Sequence, residues 1–263
     1  MAALASPALV ARAFGYWALQ YRRTWRGTVV SSVVNPVLFL AAMGVGLGGL
    51  VNRGGHHASL GGVGYLQYLA PGLLAATCMQ IGAGEATYPV LVSMKWSKSY
   101  HAALATPLSP LDVLLGHLGW IGVRVLQTAA IYLGVMAAFG AAHSPLVLLA
   151  LPVGVLTGLA FAAPVMAFTA SLDKDSGLAA LNRFVLIPMF LFSGTFFPVG
   201  QLPQGLRYVA YATPLWHGVD LSRSLALGTA SVGMSVVHVG YLAVWLVVGT
   251  AVAARVYRRR LVR

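Results

Sequence analysis

The sequence contains very little charge, and acidic residues are the scarcest. Only 5 of its 263 residues are Asp or Glu, and charged residues of both signs make up 8%, against about 25% in soluble domains. Hydrophobic residues make up 59%, and the mean hydropathy is +0.80. In water such a chain would expose large apolar patches, so the composition predicts a membrane protein.

Two further scarcities exclude specific kinds of site. The single cysteine, Cys78, excludes a disulfide within the chain. No Gly-Lys pair occurs anywhere in the sequence, so it lacks the loop that cradles nucleotide phosphates in P-loop ATPases. If ATP drives any activity of this chain, ATP and Mg²⁺ must bind to a partner ATPase. We therefore expect no cofactor on the chain itself.

The formal net charge of +12 does not indicate nucleic-acid binding. The basic residues flank apolar runs instead of gathering on a soluble surface, so we expect them to set topology and to contact anionic lipid headgroups. With both termini in the cytoplasm, 13 Lys and Arg lie inside, 3 lie outside (Arg53, Arg207 and Arg223) and Arg124 lies within a span. This bias predicts a multi-pass protein of the bacterial cytoplasmic membrane with both termini cytoplasmic.

The apolar runs predict a single all-α membrane domain, 1–263, with six transmembrane helices, because each crossing takes roughly 20 residues. The predicted spans are 29–51, 68–92, 111–142, 146–172, 176–198 and 236–254. The fifth is the weakest, since its uninterrupted apolar part is shorter than the thickness of the hydrocarbon core.

Three further segments are predicted to be short helices outside the spans. Residues 7–27 place aromatic residues opposite arginines, which predicts an interfacial amphipathic helix; the alternative is a helix packed on a soluble partner. The inner loop 94–110 is basic and aromatic and ends in prolines, which favours a short helix on the cytoplasmic surface. The outer segment 199–235 is too apolar for a free loop and too broken for a span, which favours two re-entrant helices.

Glu85 is the most informative single residue. It lies within the second predicted span, where a carboxylate costs free energy unless it is paired or faces water. Arg124 in the third span and the shallower His117 are both candidate partners. The intramembrane pair of Glu85 with Arg124 belongs either to a substrate path or subunit interface, or to a structural tether between spans.

Catalytic and metal sites are not expected. His217 and Asp220 are three residues apart and share a helical face, which makes acid–base catalysis conceivable, but nothing else in the sequence completes a site with them. His56 and His57 are adjacent, and no nearby Cys or carboxylate completes a metal site.

Several motifs resemble those of a known family. The segment 105–112, ATPLSPLD, resembles the signature after the cytoplasmic loop of type-2 ABC exporter permeases, and 193–198, SGTFFP, resembles their external re-entrant segment. Residues 85–87 resemble the branch that contains exporters of nodulation factors, which are lipo-oligosaccharides, and daunorubicin-type antibiotic-resistance permeases. The similarity extends from about residue 10 to 255.

The resemblance implies a mechanism and partners. It implies a permease that pairs with a second membrane subunit, identical or different, each docking a separate ATPase, and that exports an amphiphile such as a drug, a glycolipid or a lipo-oligosaccharide. The inner loop would be the coupling helix that docks the ATPase. The residues implied in docking are Lys95, Trp96, Lys98, Tyr100, His101 and Leu104. The alternative is that Trp96 and the lysines only anchor the second span at the headgroups.

Two other classes of protein stay open on the sequence alone. A proton-coupled secondary transporter would need titratable groups along its path, of which Glu85 is one, and the halves of the chain show no evident similarity of the kind found in inverted repeats. A lipid-modifying membrane enzyme would need a clustered site, which only His217 and Asp220 remotely provide.

Overall fold

The computed structural model describes residues 6–49 and 62–262; Arg53, His56, His57 and Arg263 lie outside the described residues. Within these ranges every regular element is helical, which confirms the predicted all-α class. The α-helices are α1 (Pro7–Tyr21), α2 (Trp25–Phe39), α3 (Tyr65–Glu85), α4 (Tyr88–Leu91), α5 (Ser99–Ala103), α6 (Pro110–Ala138), α7 (Ala150–Ser171), α8 (Ser176–Leu181), α9 (Ile187–Phe192), α10 (Gln204–Tyr211), α11 (Pro214–Leu227) and α12 (Val232–Leu261).

Shorter segments of other helix types extend or join several of these helices. Among the described residues they are the π-helical Leu40–Leu47, Val92–Trp96 and Asn182–Leu186, and the 3₁₀ segments Pro145–Leu149 and Val199–Gln201.

Four helical segments are long and apolar enough to cross a membrane. They are Trp25–Gly44, Pro110–Ala138, Pro145–Ser171 and Val232–Leu261, and they overlap the first, third, fourth and sixth predicted spans. The second and fifth predicted spans correspond to α3, which has 21 residues, and to the shorter apolar segment Ser176–Phe192. The chain is therefore a multi-pass helical membrane protein.

The second predicted span, 68–92, is not one continuous helix. It ends at Glu85 and resumes as α4 at Tyr88. Pro89 lacks an N–H and cannot donate to the Glu85 carbonyl four residues earlier, and the Thr87 hydroxyl donates to the Gly84 carbonyl at 2.6 Å. The break therefore places the Glu85 side chain at the end of a helix.

The third predicted span, 111–142, is bounded by a cap and a glycine turn. Ser109 accepts a hydrogen bond from the Asp112 amide while Asp112 accepts one from the Ser109 amide, which forms a capping box ahead of Pro110. The helix ends at Ala138, and Gly140 follows with φ of 71°. It therefore ends four residues before the predicted boundary.

The predicted single helix 7–27 is two helices separated by a turn at 22–24. The aromatic side of α1 packs on α6 of the same chain. The Trp17 ring stacks on His117 at 3.8 Å, and Phe14 and Tyr21 contact Trp120 edge-on or tilted. Trp17 is 8% exposed, so this part of the aromatic face packs against the protein and not against lipid. The interfacial position of the segment stays a prediction.

The core of the bundle lies around α7, which packs against α3, α6, α11 and α12. Glycines permit the closest approach, because a Cβ on Gly82 would lie within 3 Å of the Gly158 backbone, and one on Gly158 would lie 2.8 Å from the Cys78 carbonyl. Small residues let membrane helices pack at short range. The α3–α7 contact therefore fixes the position of the helix that ends at Glu85.

Candidate functional site

The inner loop combines a π-helical turn with a short helix. Val92–Trp96 runs into Lys98, which has a left-handed φ of 51°, and α5 follows at Ser99. Trp96 is 62% exposed, Lys98 and His101 are exposed, and Leu104 is half-buried. The loop therefore presents a large aromatic ring beside basic residues on the surface of the bundle.

Tyr100 occupies a different place from the other residues of this loop. It is 3% exposed, its hydroxyl is hydrogen-bonded to Nδ1 of His117, and its ring lies 5.6 Å from that of Tyr257. Burial raises the pKa of Tyr100 well above its usual value. In this structure Tyr100 packs between the loop and the helical bundle. Its buried side chain cannot make the direct contact with a docked ATPase that the resemblance implied.

An ion cluster ties the loop to two other elements. Lys95 Nζ lies 3.0 Å from Asp173 Oδ1, and Arg260 Nη1 lies 3.0 Å from the same oxygen. Hydrogen bonds from Lys95 and then Arg260 lower the pKa of Asp173. The cluster brings together the inner loop, the end of α7 and the end of α12.

The structure brings Glu85 and Arg124 together. Glu85 Oε1 accepts a hydrogen bond from Arg124 Nε at 3.1 Å, and Arg124 Nη1 also donates to the Tyr21 hydroxyl and to Gln127 Oε1, both at 2.9 Å. The Arg124 side chain is 5% exposed and that of Glu85 is 24% exposed. His117, the other candidate partner, is bonded to Tyr100 instead.

The position of Glu85 explains why it needs this partner. It is the last residue of α3, where the helix dipole is negative and disfavours a carboxylate. The Arg124 guanidinium, which is more deeply buried, is costlier still without an anion. Each charge therefore offsets the cost of the other, and Tyr21 adds a contact from α1, with the guanidinium 4.5 Å from the centre of its ring.

Comparison with known proteins identifies the family. The family model described as ABC-2 type transporter matches residues 9–227. This chain belongs to the ABC-2 type transporter family. The chain is thus a transport subunit, which confirms the resemblance drawn from the motifs.

Relatives of this ABC-2 protein include nodulation protein J from several bacteria. That of Rhizobium leguminosarum bv. viciae is 32% identical over 246 residues, covering 93% of this chain and 92% of its own. That of Rhizobium meliloti (strain 1021) is 32% identical over 244 residues, covering 92% and 90%. That of Rhizobium leguminosarum bv. trifolii is 33% identical over 254 residues, covering 94% of each.

A second polar cluster of this ABC-2 protein lies in its C-terminal part. His217 Nδ1 is 2.8 Å from His238 Nδ1, and His238 Nε2 is 3.2 Å from Asp220 Oδ2. The sequence pattern indicated only His217 and Asp220 as members of this cluster. The third member, His238, lies 21 residues from His217, on α12, and is 1% exposed. No three His, Cys, Asp or Glu side chains in 6–49 and 62–262 form a group that could hold a metal ion.

Proposed function

We propose that this chain is the membrane-spanning permease of an ATP-driven ABC exporter that moves an amphiphile out of the cytoplasm. The single observation that carries the proposal is the inner loop, which exposes Trp96, Lys98 and His101 in a chain of the ABC-2 family that has no phosphate loop of its own. A separate P-loop ATPase would dock on that loop. ATP bound to that ATPase would favour one arrangement of the spans, because the complex would bind ATP more tightly in that arrangement.

The permease would cross the cytoplasmic membrane six times with both termini inside. α3 with α4 would form the second crossing and Ser176–Phe192 the fifth, while α10 and α11 would be the external re-entrant helices. The Lys95–Asp173–Arg260 cluster supports this order, because alternating crossings place the ends of spans two, four and six on one side. The 13-to-3 distribution of basic residues favours the cytoplasm for that side.

The docking surface would consist of exposed residues held from beneath. An exposed Trp next to basic side chains has the composition of an interface anchor, in which the ring fills a pocket and the charge orients the partner. Lys95 is half-buried in its ion pair with Asp173, so we assign it to positioning the loop. Leu104 completes the docking surface at its edge.

A second membrane subunit would cover α2 and the segment 182–192. Leu38 is 62% exposed and Phe184 is 78% exposed, and the most apolar stretch of the segment Trp25–Gly44 is only 18% buried. This second subunit would be either another copy of the same chain or a different permease chain. The remaining apolar surface, above all the valines of α12, would face membrane lipids.

The substrate would be an amphiphile with a glycan head, such as a glycolipid or a lipo-oligosaccharide. The relatives named nodulation protein J and the resemblance of residues 85–87 to exporters of nodulation factors favour this class over a drug. A proton-coupled mechanism gains no support, because the one carboxylate of the path that the sequence offered, Glu85, is ion-paired with Arg124.

The test is reconstitution with candidate P-loop ATPases, taken first from genes that neighbour the one for this chain. The complex should form in detergent, survive transfer to lipid, and hydrolyse ATP faster when a transported glycolipid is added. If the permease purifies in folded form without any P-loop ATPase, and no candidate ATPase binds it, the exporter assignment fails.

A further inference from the structure

A cavity of about 460 Å³ opens beside the Glu85–Arg124 pair. Its walls come from α1, the start of α2, the break between α3 and α4, and α6. The volume lies within the range of small-molecule sites, about 300–1,000 Å³. The break after Glu85 helps to form it, because a continuous helix through 86–88 would direct this stretch of chain elsewhere.

Aromatic rings line this cavity from opposite elements. Tyr16 on α1 is 48% exposed and Tyr88 on α4 is 51% exposed, whereas Trp17 and Trp120 form the packed wall behind them. Exposed tyrosines on a membrane protein often serve only as headgroup anchors. Here the rings line a concave space, where each offers a flat apolar face to a bound group.

The polar groups in the same cavity carry no net charge. The carboxylate of Glu85 and the guanidinium of Arg124 neutralise each other, and the other polar lining residues, among them Gln20, Thr24 and Ser97, are uncharged. Because each charge of the pair already has its counter-ion, neither a phosphate-bearing head nor a cationic head would find an unpaired opposite charge there. A neutral, hydroxyl-rich group satisfies the amide, hydroxyl and carboxylate partners together.

A sugar ring has both features that this lining would bind, a flat apolar face and hydroxyl groups around its edge. Its axial C–H bonds form an apolar face that stacks on an aromatic ring, and its hydroxyls donate to carboxylates and amide oxygens. We propose that this cavity binds the neutral sugar head of the amphiphile, with Tyr16 and Tyr88 as stacking residues and Glu85 as a hydrogen-bond acceptor. The proposal deepens the exporter assignment and rests on it.

The experiment measures binding of tritiated dodecyl-β-D-maltoside to the full chain in lipid nanodiscs. Specific binding is the saturable part of the signal, after the non-saturable partition of the detergent into lipid is subtracted. Tyr16→Ala and Tyr88→Ala should each weaken binding about tenfold, which is about 1.4 kcal/mol. Tyr208→Ala removes a tyrosine that is 71% exposed on α10 and should leave binding unchanged. Dodecylphosphocholine, which has the same chain and a zwitterionic head without sugar hydroxyls, should compete poorly.

Maltose without the chain distinguishes a free sugar from a glycolipid as the ligand. Weak competition by maltose fits a site for a lipid-linked head, and competition as strong as that of the maltoside would show that the site takes free sugars and overturn the glycolipid assignment. Equal displacement by dodecylphosphocholine, or wild-type binding in both tyrosine variants, would overturn the sugar site. ATPase association is measured on the same samples, so failure of the exporter assignment is seen separately from failure of this site.

Discussion

The hydroxyl of Tyr100 is hydrogen-bonded to Nδ1 of His117. This contact joins the short helix α5 of the inner loop to α6, and the same imidazole ring stacks on Trp17 of α1. A loop of few residues is thereby held by two helices of the bundle. Force applied to the loop by a bound partner would be transmitted to α1 and α6 through this contact, because packed side chains leave little room for independent motion.

Tyr100→Phe should destabilise the protein more than an exposed tyrosine change does. It removes the partner of His117 Nδ1 in an imidazole whose Nε2 already has no partner among the described residues. Leaving a buried polar group unpaired costs about 1–3 kcal/mol. Thermal unfolding in detergent measures the effect, with Tyr208→Phe as the control. An unchanged unfolding midpoint would show that the contact contributes nothing to stability.

Docking should depend on the exposed part of the loop. Trp96→Ala with Lys98→Glu should abolish co-purification of the ATPase while the unfolding midpoint stays at the wild-type value, because truncation of a buried interface anchor costs about 2 kcal/mol or more. Trp245→Ala changes another exposed tryptophan, 38% exposed on the lipid-facing α12, and is the matched control. Wild-type ATPase recovery, combined with defective membrane insertion, would instead favour headgroup anchoring by Trp96.

The Glu85–Arg124 pair should behave as a coupled unit. Glu85→Ala leaves a guanidinium that is 5% exposed without its anion and should cost about 1–3 kcal/mol. Glu85→Gln should cost less, because an amide oxygen still accepts the Arg124 hydrogen bond. A double-mutant cycle with Arg124→Ala measures the coupling. Additive losses would contradict a direct stabilising interaction between the two residues.

Sequence patterns predicted the helical class well, since long apolar runs have few alternatives in a membrane. They predicted helix ends less well. The break after Glu85 follows from Pro89 and could have been found from that proline. The two-part N-terminal helix has no comparable marker, because the turn at 22–24 contains neither glycine nor proline.

The sequence predicted only those parts of the candidate site that depend on local sequence features. The inner loop and the unusual carboxylate at Glu85 are visible in the sequence. The burial of Tyr100 is not, because it depends on Tyr257, which is 157 residues away, as much as on His117. His238 lies in the sixth predicted span, where an ionisable residue is itself a marker, so it could have been singled out from the sequence. Its contact with His217 across a helix pair could not.

The Lys95–Asp173–Arg260 cluster should weaken at low pH. The folded pKa of Asp173 is below its ordinary value, so its stabilising contribution is fully present above the unfolded pKa, near 4, and is lost as pH falls through the folded pKa. The stability difference between wild type and Asp173→Asn should therefore shrink below about pH 4. Unfolding midpoints across this window test it, and a difference that grows on acidification would contradict the assignment.

The proposed topology predicts which surface residues an impermeant thiol reagent reaches. Ser97 on the inner loop and Gln204 at the start of α10 are both exposed in the structure, so a cysteine at either position would react once the reagent has access. Cys78 is fully buried and gives a silent background. In intact cells the Gln204→Cys variant should be labelled and the Ser97→Cys variant should not, whereas both should be labelled after lysis. The Lys95–Asp173–Arg260 cluster holds the inner loop beside the ends of α7 and α12. Labelling of Ser97→Cys in intact cells would therefore show that the proposed orientation is inverted and that the proposed ATPase-docking loop lies outside the cell.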